Sequence, residues 1–449
     1  MTFDFHRRAG ITTRVLLAAA GLLLPLAVGC GRMPTSPAAK SALVPRALGS
    51  SSSTTAANSY DPTQVVWWSN DSSQEDAVEA EHGLERVASI GLSQICRVPN
   101  GSDPLLVAQQ LLLDPRVGYA EPNYLLEPAE TRGHSWAFDD GYMNAAGYED
   151  QAATTRLGLT QAHQISTGSG VLVAVLDTGV NPLHSLLRGR VLGGYDFVSN
   201  DADAGEAPDG VDSDGDGLVD EGLGHGTHVA GIVALTAPGA RILPVRVLDD
   251  DGRGSSLDVS RGIDYAISCG ARVINLSLGM LVEDRLIEDA VTRATAAGSL
   301  VVASAGNWGA EEPEEYPANF DETAAVAATR ADDTPAPFTS FGGFVALSAP
   351  GEGVRSAYWN GNTAVWSGTS MSAPFVAGGA ALLLAVHPTW TRLQVLARLA
   401  QTAHPFDSSV PEASSHYGAG RLDLAAALLP DRKTGAGGGA TTSRPVDSP

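Results

Sequence analysis

The sequence predicts an α/β protein: a doubly wound, mostly parallel sheet flanked by helices and preceded by a small α+β unit. Between residues 156 and 306, nearly continuous apolar runs rich in β-branched residues alternate with helical stretches that end in glycine. Such runs are typical of strands buried on both faces of a parallel sheet, and the stretches between them suit crossover helices. The strands are predicted in "VLVAVLD", "RILPVRVL", "ARVINLSLG" and "LVVASAGN", and the helices in "SLDVSRGIDYAISCG" and "DRLIEDAVTRATAAG".

The smaller unit is predicted over residues 61–128. Strands are expected in "QVVWWS", "QICRVP" and "RVGYAEPNY", and helices in "EDAVEAEHGLERVASI" and in "LLVAQQLLL", which Asp103 and Pro104 precede as start signals. The segments around it are poor in core-forming residues. We therefore expect a flexible linker at 31–60, a second linker at 129–150, the main domain at 151–430 and a disordered tail at 431–449.

Residues 1–30 have the features of an export signal. Basic residues precede an apolar run from Val15 to Val28, which is too short for a membrane-spanning helix. The run ends in "LAVGC", which resembles a bacterial lipoprotein signal with Cys30 as the lipidated residue; the alternative is an ordinary secretory signal with an incidental cysteine. Either interpretation predicts an exported protein, and the first adds a membrane tether through Cys30.

Composition excludes several classes of function. The formal net charge of −23 argues against nucleic acid and anionic membrane surfaces as partners. Lysine occurs only at Lys40 and Lys433, outside the predicted domains, which rules out most lysine-based catalysis. The three cysteines are far apart and have no metal-ligand spacing.

In parallel sheets, sites form at the strand carboxyl ends, and three predicted strands end here in polar segments that contain Asp177, Ser277 and Asn307. Two further segments carry candidate residues. Asp177 follows "AVL", His225 lies in the glycine-rich "GLGHGTHVAG", and Ser370 begins the apolar helix of "SGTSMSAPFVAGGAALLLAV". A helix N-terminus places free N–H groups beside a serine hydroxyl. Taken singly, Asp177 could be a turn residue and Ser370 a plain helix cap.

Together these segments resemble the subtilisin-like serine proteases (subtilases), whose triad runs in the order Asp, His, Ser. The resemblance covers about 155 to 428 and rests on "VAVLDTGV", "GHGTHVAG", "INLSLG", "VVASAGN" and "GTSMSAPFVAG". It implies Ser370 as nucleophile, His225 as general base and Asp177 as the residue that orients the imidazole. It also implies Asn307 as an oxyanion donor.

The resemblance extends to substrate binding and to the N-terminal unit. Ser277, Leu278 and Gly279 resemble the segment that pairs with the substrate backbone, so proteins or peptides are the expected substrates. "GYAEPNY" resembles the end of the inhibitor-type propeptides of the family, which have a ferredoxin-like fold; a small binding module is the alternative. We expect a self-processing zymogen that is a monomer and needs no cofactor for its chemistry.

An acidic stretch, "DSDGDGLVDEGL", precedes His225. Asp212, Asp214, Asp216 and Asp220 stand at positions 1, 3, 5 and 9 of a calcium loop, but Leu223 replaces the glutamate of position 12. Subtilases often carry calcium that stabilises them, so the resemblance implies a structural calcium site here. A solvated acidic insertion is the alternative.

The segment "EEPEEYPANF" resembles the family's stretch that closes the primary specificity pocket. It sets Glu315 at the pocket floor, where a carboxylate would favour a basic residue before the scissile bond; alternatively, Glu315 points to solvent. "AETRGHS" offers Arg132–Gly133 as a matching site of self-cleavage.

Two other functions are compatible with parts of this pattern. An α/β-hydrolase esterase is excluded because the chain has no G-x-S-x-G nucleophile elbow. A catalytically inactive, surface-anchored binding protein on the same fold remains the alternative, although all four predicted catalytic positions keep their chemical types.

Overall fold

The computed structural model describes residues 60–132, 137–139, 141–408, 410 and 413–430. The predicted signal with Cys30, nearly all of the first linker and the C-terminal tail from 431 lie outside these residues. Fifteen strands are found in them: β1 (Tyr60–Ser69), β2 (Glu85–Ile90), β3 (Ser93–Arg97), β4 (Val117–Leu126), β5 (Phe138–Asp139), β6 (Leu172–Asp177), β7 (Tyr195–Asp196), β8 (Arg241–Arg246), β9 (Gly254–Ser255), β10 (Val273–Leu276), β11 (Leu300–Ser304), β12 (Thr323–Thr329), β13 (Val345–Pro350), β14 (Val354–Ala357) and β15 (Thr363–Trp366).

The helices of the same residues alternate with these strands. They are α1 (Glu75–His82), α2 (Pro104–Leu111), α3 (Ala129–Arg132), α4 (Ala145–Glu149), α5 (Ala152–Arg156), α6 (Leu159–Ala162), α7 (His225–Thr236), α8 (Ser256–Ser268), α9 (Arg285–Ala296), α10 (Thr369–Val386), α11 (Arg392–Thr402), α12 (Ala413–His416) and α13 (Leu424–Leu428), with a 3₁₀ turn at Ser72–Gln74.

The main domain is built on a parallel sheet in the order β13-β12-β11-β10-β6-β8-β7. Alternate residues of each strand face opposite layers. In β6, Val173 and Val175 pack with α7 and α10, while Ala174 and Leu176 pack with α8 and α9. Because both faces are covered, the strands are predominantly apolar, and the predicted doubly wound α/β fold is confirmed.

The N-terminal unit is a β-α-β-β-α-β fold whose antiparallel sheet has the order β2-β3-β1-β4. This order and element sequence are those of a ferredoxin-like domain. The side chain of Asp103 accepts a hydrogen bond from Leu105 N at 2.9 Å, so it caps α2 as the sequence indicated. The sheet continues into the main domain, because β4 pairs antiparallel with β9.

The segment predicted as a second linker, 129–150, contains structure. Its first residues form α3 and bury Ala129 and Glu130. Further on, β5 pairs with β15, and α4 buries Tyr148, whose hydroxyl donates to the carbonyl oxygen of Gly231 at 2.6 Å. This segment is therefore packed against the main domain at several points.

Helix α10 runs through the centre of the main domain. Among the described residues it is long and apolar enough to cross a membrane, and 89% of it is buried inside the protein. A helix that is apolar all round and covered by its own domain is typical of a globular core. Its N-terminus, with Ser370, lies at the carboxyl edge of the sheet beside β10 and β11.

Candidate active site

Strand β6 and helix α7 bring Asp177 and His225 together. Asp177 ends β6, and His225 is the first residue of α7, after Gly224 in the left-handed region. Oδ1 of Asp177 lies 2.7 Å from Nδ1 of His225, and both residues are fully buried. This contact fixes a proton on Nδ1, and Nε2 faces the opposite way, towards Glu130.

Tight packing fixes the positions of Asp177 and His225 relative to each other. A Cβ on Gly226 would collide with the carbonyl oxygen of Gly179, so α7 approaches the turn after β6 more closely than a larger residue allows. Thr178 Oγ1 accepts a hydrogen bond from Gly226 N at 2.9 Å and donates to Glu206. Sequence reasoning missed Glu206, which also accepts from Thr227 and ties the turn to α7.

Ser370 and Asn307 meet at the start of α10. Asn307 Oδ1 accepts hydrogen bonds from the backbone N–H and the hydroxyl of Thr369, at 2.9 and 3.0 Å. This arrangement fixes the amide so that Nδ2 is free to donate into the site. Ser370 is anchored by Ser277, whose hydroxyl donates to the carbonyl oxygen of Ser370 at 2.9 Å.

The side chain of Glu130 fills the site that these residues form. Its Oε1 accepts from Asn307 Nδ2 at 3.0 Å and from Ser370 N at 3.3 Å, while its Oε2 accepts from Ser370 Oγ at 2.6 Å. Nε2 of His225 lies 3.4 Å from the same Oε2. Two donors that converge on one oxygen beside a serine hydroxyl are the geometry of an oxyanion hole.

These contacts shift the pKa values of the buried groups. Burial alone would raise the pKa of Glu130, but hydrogen bonds and the charge of His225 hold it below its usual range. Burial alone would lower the pKa of His225, yet Asp177 and Glu130 raise it to about 10. Burial and the charge of His225 lower the pKa of His228 to about 3, so this histidine is neutral and structural, bonded to Ala364 O.

Ser277, Leu278 and Gly279 form one side of a cleft that holds the end of the N-terminal unit. Glu127 N donates to Gly279 O at 3.1 Å, and Gly279 N donates to Glu127 O at 2.9 Å. On the other side, Leu125 and Leu126 pair with β9. The end of β4 together with Glu127 therefore lies between two segments of the main domain, as a third, central strand.

Glu315 is buried beside this cleft, with 1% of its surface exposed. Oε2 accepts a hydrogen bond from Trp308 Nε1 at 2.8 Å. Its Oε1 lies where a Cβ on Gly279 would stand, and its Cγ would lie 3.2 Å from a Cβ on Gly306. The structure thus places Glu315 inside the protein and not in solvent.

The four aspartates predicted for calcium do not form one group. Carboxylate oxygens of Asp212, Asp214 and Asp216 lie within 4.8 Å of one another, whereas Asp220 groups with Asp209 and Asp250. The separation arises because Asp220 accepts from the backbone N–H groups of residues 209 and 210. Carboxylate oxygens suit calcium, and the first group keeps the alternating spacing of a calcium loop.

Sequence reasoning missed Glu130, which it left in a linker. The residue is separated by 240 positions from Ser370, and its segment has no periodicity that would mark it. The strand pairing of Glu127 with Gly279 brings this segment to the site, where the Glu130 carboxylate accepts from Ser370 Oγ.

A parallel sheet with a His–Asp pair, a serine at a helix N-terminus and an amide beside it defines a serine hydrolase. Residues 168–420 match the model of the subtilase family, peptidase S8. Thermitase of Thermoactinomyces vulgaris is 41% identical over 255 residues, which are 55% of this chain and 84% of thermitase. A thermophilic serine proteinase of Bacillus sp. (strain AK1) is 38% identical over 69% of this chain and 75% of its own.

The fold agrees with this relationship. The structure of fervidolysin from Fervidobacterium pennivorans, described as a keratinolytic enzyme related to subtilisin, superposes with a TM-score of 0.68 and 25% identity. The match covers 83% of this chain and 61% of fervidolysin. The chain belongs to the subtilase family and is a serine endopeptidase.

Proposed function

We propose that this endopeptidase cleaves peptide bonds through Asp177, His225 and Ser370. Ser370 Oγ attacks the carbonyl carbon while His225 Nε2 takes its proton, and Asp177 stabilises the imidazolium that forms. Asn307 Nδ2 and Ser370 N stabilise the oxyanion. His225 then protonates the leaving amine, and water releases the acyl group from Ser370. The observation that carries this proposal is the convergence of both donors on one oxygen beside Ser370 Oγ.

Labelling by a fluorophosphonate tests the mechanism, since the probe reacts only with an activated serine. We expect the processed wild type to be labelled and to hydrolyse peptides, and Ser370→Ala to do neither. A processed wild type that folds but is neither labelled nor active would favour the alternative of an inactive binding protein.

The protein is made as a zymogen that processes itself, in our proposal, at the Ala129–Glu130 bond. Because Glu127 pairs antiparallel with Gly279, Ala129 falls opposite Ser277, two residues further along each segment. The carbonyl oxygen of Ser277 lies 3.4 Å from Ser370 Oγ, so Ala129 is the residue that this register brings to the nucleophile. The register favours this bond over Arg132–Gly133, the site expected from sequence.

Glu130 keeps the precursor latent. Its carboxylate takes the place that the oxyanion would occupy, and α3 turns the chain away from the extended form that a substrate needs. Processing therefore requires α3 to unwind, so that the Ala129 carbonyl replaces the carboxylate. N-terminal sequencing of the mature enzyme is expected to begin at Glu130; a start at Gly133 would restore the first expectation, and an uncut wild type would contradict self-processing.

We also propose a structural calcium ion at Asp212, Asp214 and Asp216. A ligand that binds only the native state stabilises it by mass action. Calcium should raise the thermal midpoint of the wild type in comparison with chelator, and Asp214→Ala should remove most of the increase. An equal response in both proteins would exclude this group, and Asp220→Ala would then test the second one.

The protein is exported, acts on protein or peptide substrates and works as a monomer in this proposal. If Cys30 is lipidated, the precursor is tethered, and cleavage at Ala129–Glu130 separates the catalytic domain from the tether. Fractionation should find precursor with membranes and mature enzyme in solution. Mature enzyme retained with membranes would contradict the release.

A further inference from the structure

Beside the predicted scissile bond, the protein has a slot whose two walls are glycines. Gly279 follows β10 and Gly306 follows β11, so the slot opens between the carboxyl ends of adjacent strands. Ala129, the residue before the scissile bond in the proposed register, is 3% exposed, and the pairing of Glu127 with Gly279 sets it opposite Ser277, two residues before Gly279. Glycine walls usually leave room for a large side chain, since they contribute no Cβ.

In this protein the side chain of Glu315 occupies that space. A Cβ on Gly279 would collide with Oε1 of Glu315, and one on Gly306 would lie 3.2 Å from its Cγ. The carboxylate thus extends across the slot from one glycine wall to the other.

Glu315 is also held firmly in this position. Its Oε2 accepts from Trp308 Nε1, and its own carbonyl oxygen accepts from Asn319 Nδ2 at 2.9 Å. The next residue, Tyr316, exchanges backbone hydrogen bonds with Met280 at 2.8 and 2.9 Å. Displacing this buried carboxylate is costly, because its hydrogen bond with Trp308 Nε1 would be broken while the backbone bonds keep the residue in place.

We propose that Glu315 determines specificity by its volume and restricts the residue before the scissile bond to one the size of alanine. The proposal rests on the proposed endopeptidase function and on the Ala129–Glu130 register. A leucine, phenylalanine or arginine side chain would have to displace the carboxylate, whereas alanine fits in front of it. This differs from the sequence expectation, in which the charge of Glu315 attracts a basic residue.

Kinetics of the mature enzyme on Leu-Glu-Pro-Xaa p-nitroanilides, with Xaa as Ala, Leu or Arg, test the proposal. The peptide copies residues 126–128, and fluorophosphonate titration counts active sites in each preparation. We expect kcat/KM for Ala to exceed that for Leu and Arg by at least about tenfold. Glu315→Ala should shrink the Ala-to-Leu ratio at least about tenfold, while Glu315→Gln, which keeps the volume and removes the charge, should keep the ratio.

A preference for Arg that Glu315→Gln abolishes would overturn the proposal in favour of charge recognition. An Ala-to-Leu ratio unchanged in Glu315→Ala would overturn it as well. If Glu315→Ala yields no active sites, the rate of self-processing of precursor variants tests the proposal instead. Ala129→Leu and Ala129→Arg should both be processed more slowly than the wild type. Processing of both variants at the wild-type rate would refute the size limit. Failure of the proposed function is distinct, since no wild-type preparation would then be labelled or cleave any peptide.

Discussion

The carboxylates of Asp177 and Glu130 lie beside the two ring nitrogens of His225. Oδ1 of Asp177 is 2.7 Å from Nδ1, and Oε2 of Glu130 is 3.4 Å from Nε2. Burial of the ring opposes its charge, but the two carboxylates outweigh burial and raise the pKa of His225 from 6.5 to about 10. The folded precursor therefore holds a proton that the unfolded chain gives up near pH 6.5. The resulting stabilisation is complete below that pH and is lost as the pH rises through about 10.

We expect the thermal midpoint of the Ser370→Ala precursor, which by the proposed mechanism would remain uncut, to fall as the pH rises from 6.5 to 10. Adding Glu130→Gln should make this fall smaller, because only Asp177 then holds the proton. Calorimetry across the pH range measures the effect, with Glu149→Gln, an exposed glutamate, as the matched control. Identical profiles with and without Glu130 would show that its contact with His225 does not matter.

The side-chain amide of Asn307 is fixed next to Ser370. Thr369 fixes its amide from the carbonyl side, so Nδ2 is preorganised to donate to a developing oxyanion. Asn307→Ala should lower kcat about 100- to 1000-fold, a range measured on a subtilisin itself, with little change in KM. Asn360→Ala, in an exposed loop, is the control. A large rise in KM with kcat preserved would instead assign Asn307 to ground-state binding.

At the scale of elements, the position of α7 depends on a close backbone approach. Gly226→Ala puts a methyl group against the carbonyl oxygen of Gly179 and must push α7 away from the turn after β6. A displacement of about 1 Å costs about 100-fold in rate when it separates catalytic groups. We therefore expect kcat/KM to fall about 100-fold, since His225 moves with the helix.

Gly193→Ala is the matched control, because a methyl group there meets nothing within 4 Å. Thermal midpoints of both variants separate a local displacement from general unfolding. A Gly226→Ala enzyme with wild-type kcat/KM would show that the helix position tolerates this collision.

The strands and helices also differ in how well the sequence predicts them. Strands β6, β8, β10 and β11 and helices α8 and α9 are found where periodicity indicated, because burial on both faces or on one face leaves a local pattern. Pairing between distant segments leaves no such local pattern in the sequence. Glu127 meets Gly279 across 152 positions, so neither the register nor the placement of Glu130 could be predicted. The partners of Asp220 could not be predicted either, since they depend on how the loop folds back on residues 209 and 210.

Taken as a whole, the molecule joins its two units at helix N-termini as well as along the cleft. Asn123 of β4 accepts from Leu257 N at the start of α8, at 3.1 Å. Glu121, 2% exposed, faces the backbone N–H groups of Arg285 and Leu286 at the start of α9. There it meets Asp284, which caps α9 by accepting from Ile287 N at 2.7 Å. Two buried carboxyl groups thus share one helix end.

Because of this pair, the main domain should bind the N-terminal unit more weakly as the pH rises. Burial, followed by the charge of Asp284, raises the pKa of Glu121 well above 4.5; burial raises that of Asp284 from 3.8 to about 6. Tyr119, which donates to Glu121 at 2.6 Å, opposes the shift only in part. Groups whose pKa is raised in the complex favour it at low pH, and that contribution is lost as the pH rises through their pKa in the complex.

After processing, size-exclusion chromatography of the full cleaved chain at a series of pH values should therefore find the N-terminal unit bound below about pH 4 and increasingly released above about pH 6. Glu121→Gln keeps the size and hydrogen bonds of the side chain but cannot ionise, so its release should depend much less on pH. Glu85→Gln, an exposed glutamate of the same unit, should behave as the wild type. If Glu121→Gln releases the unit with an unchanged pH dependence, the like-charged pair at α9 does not control dissociation.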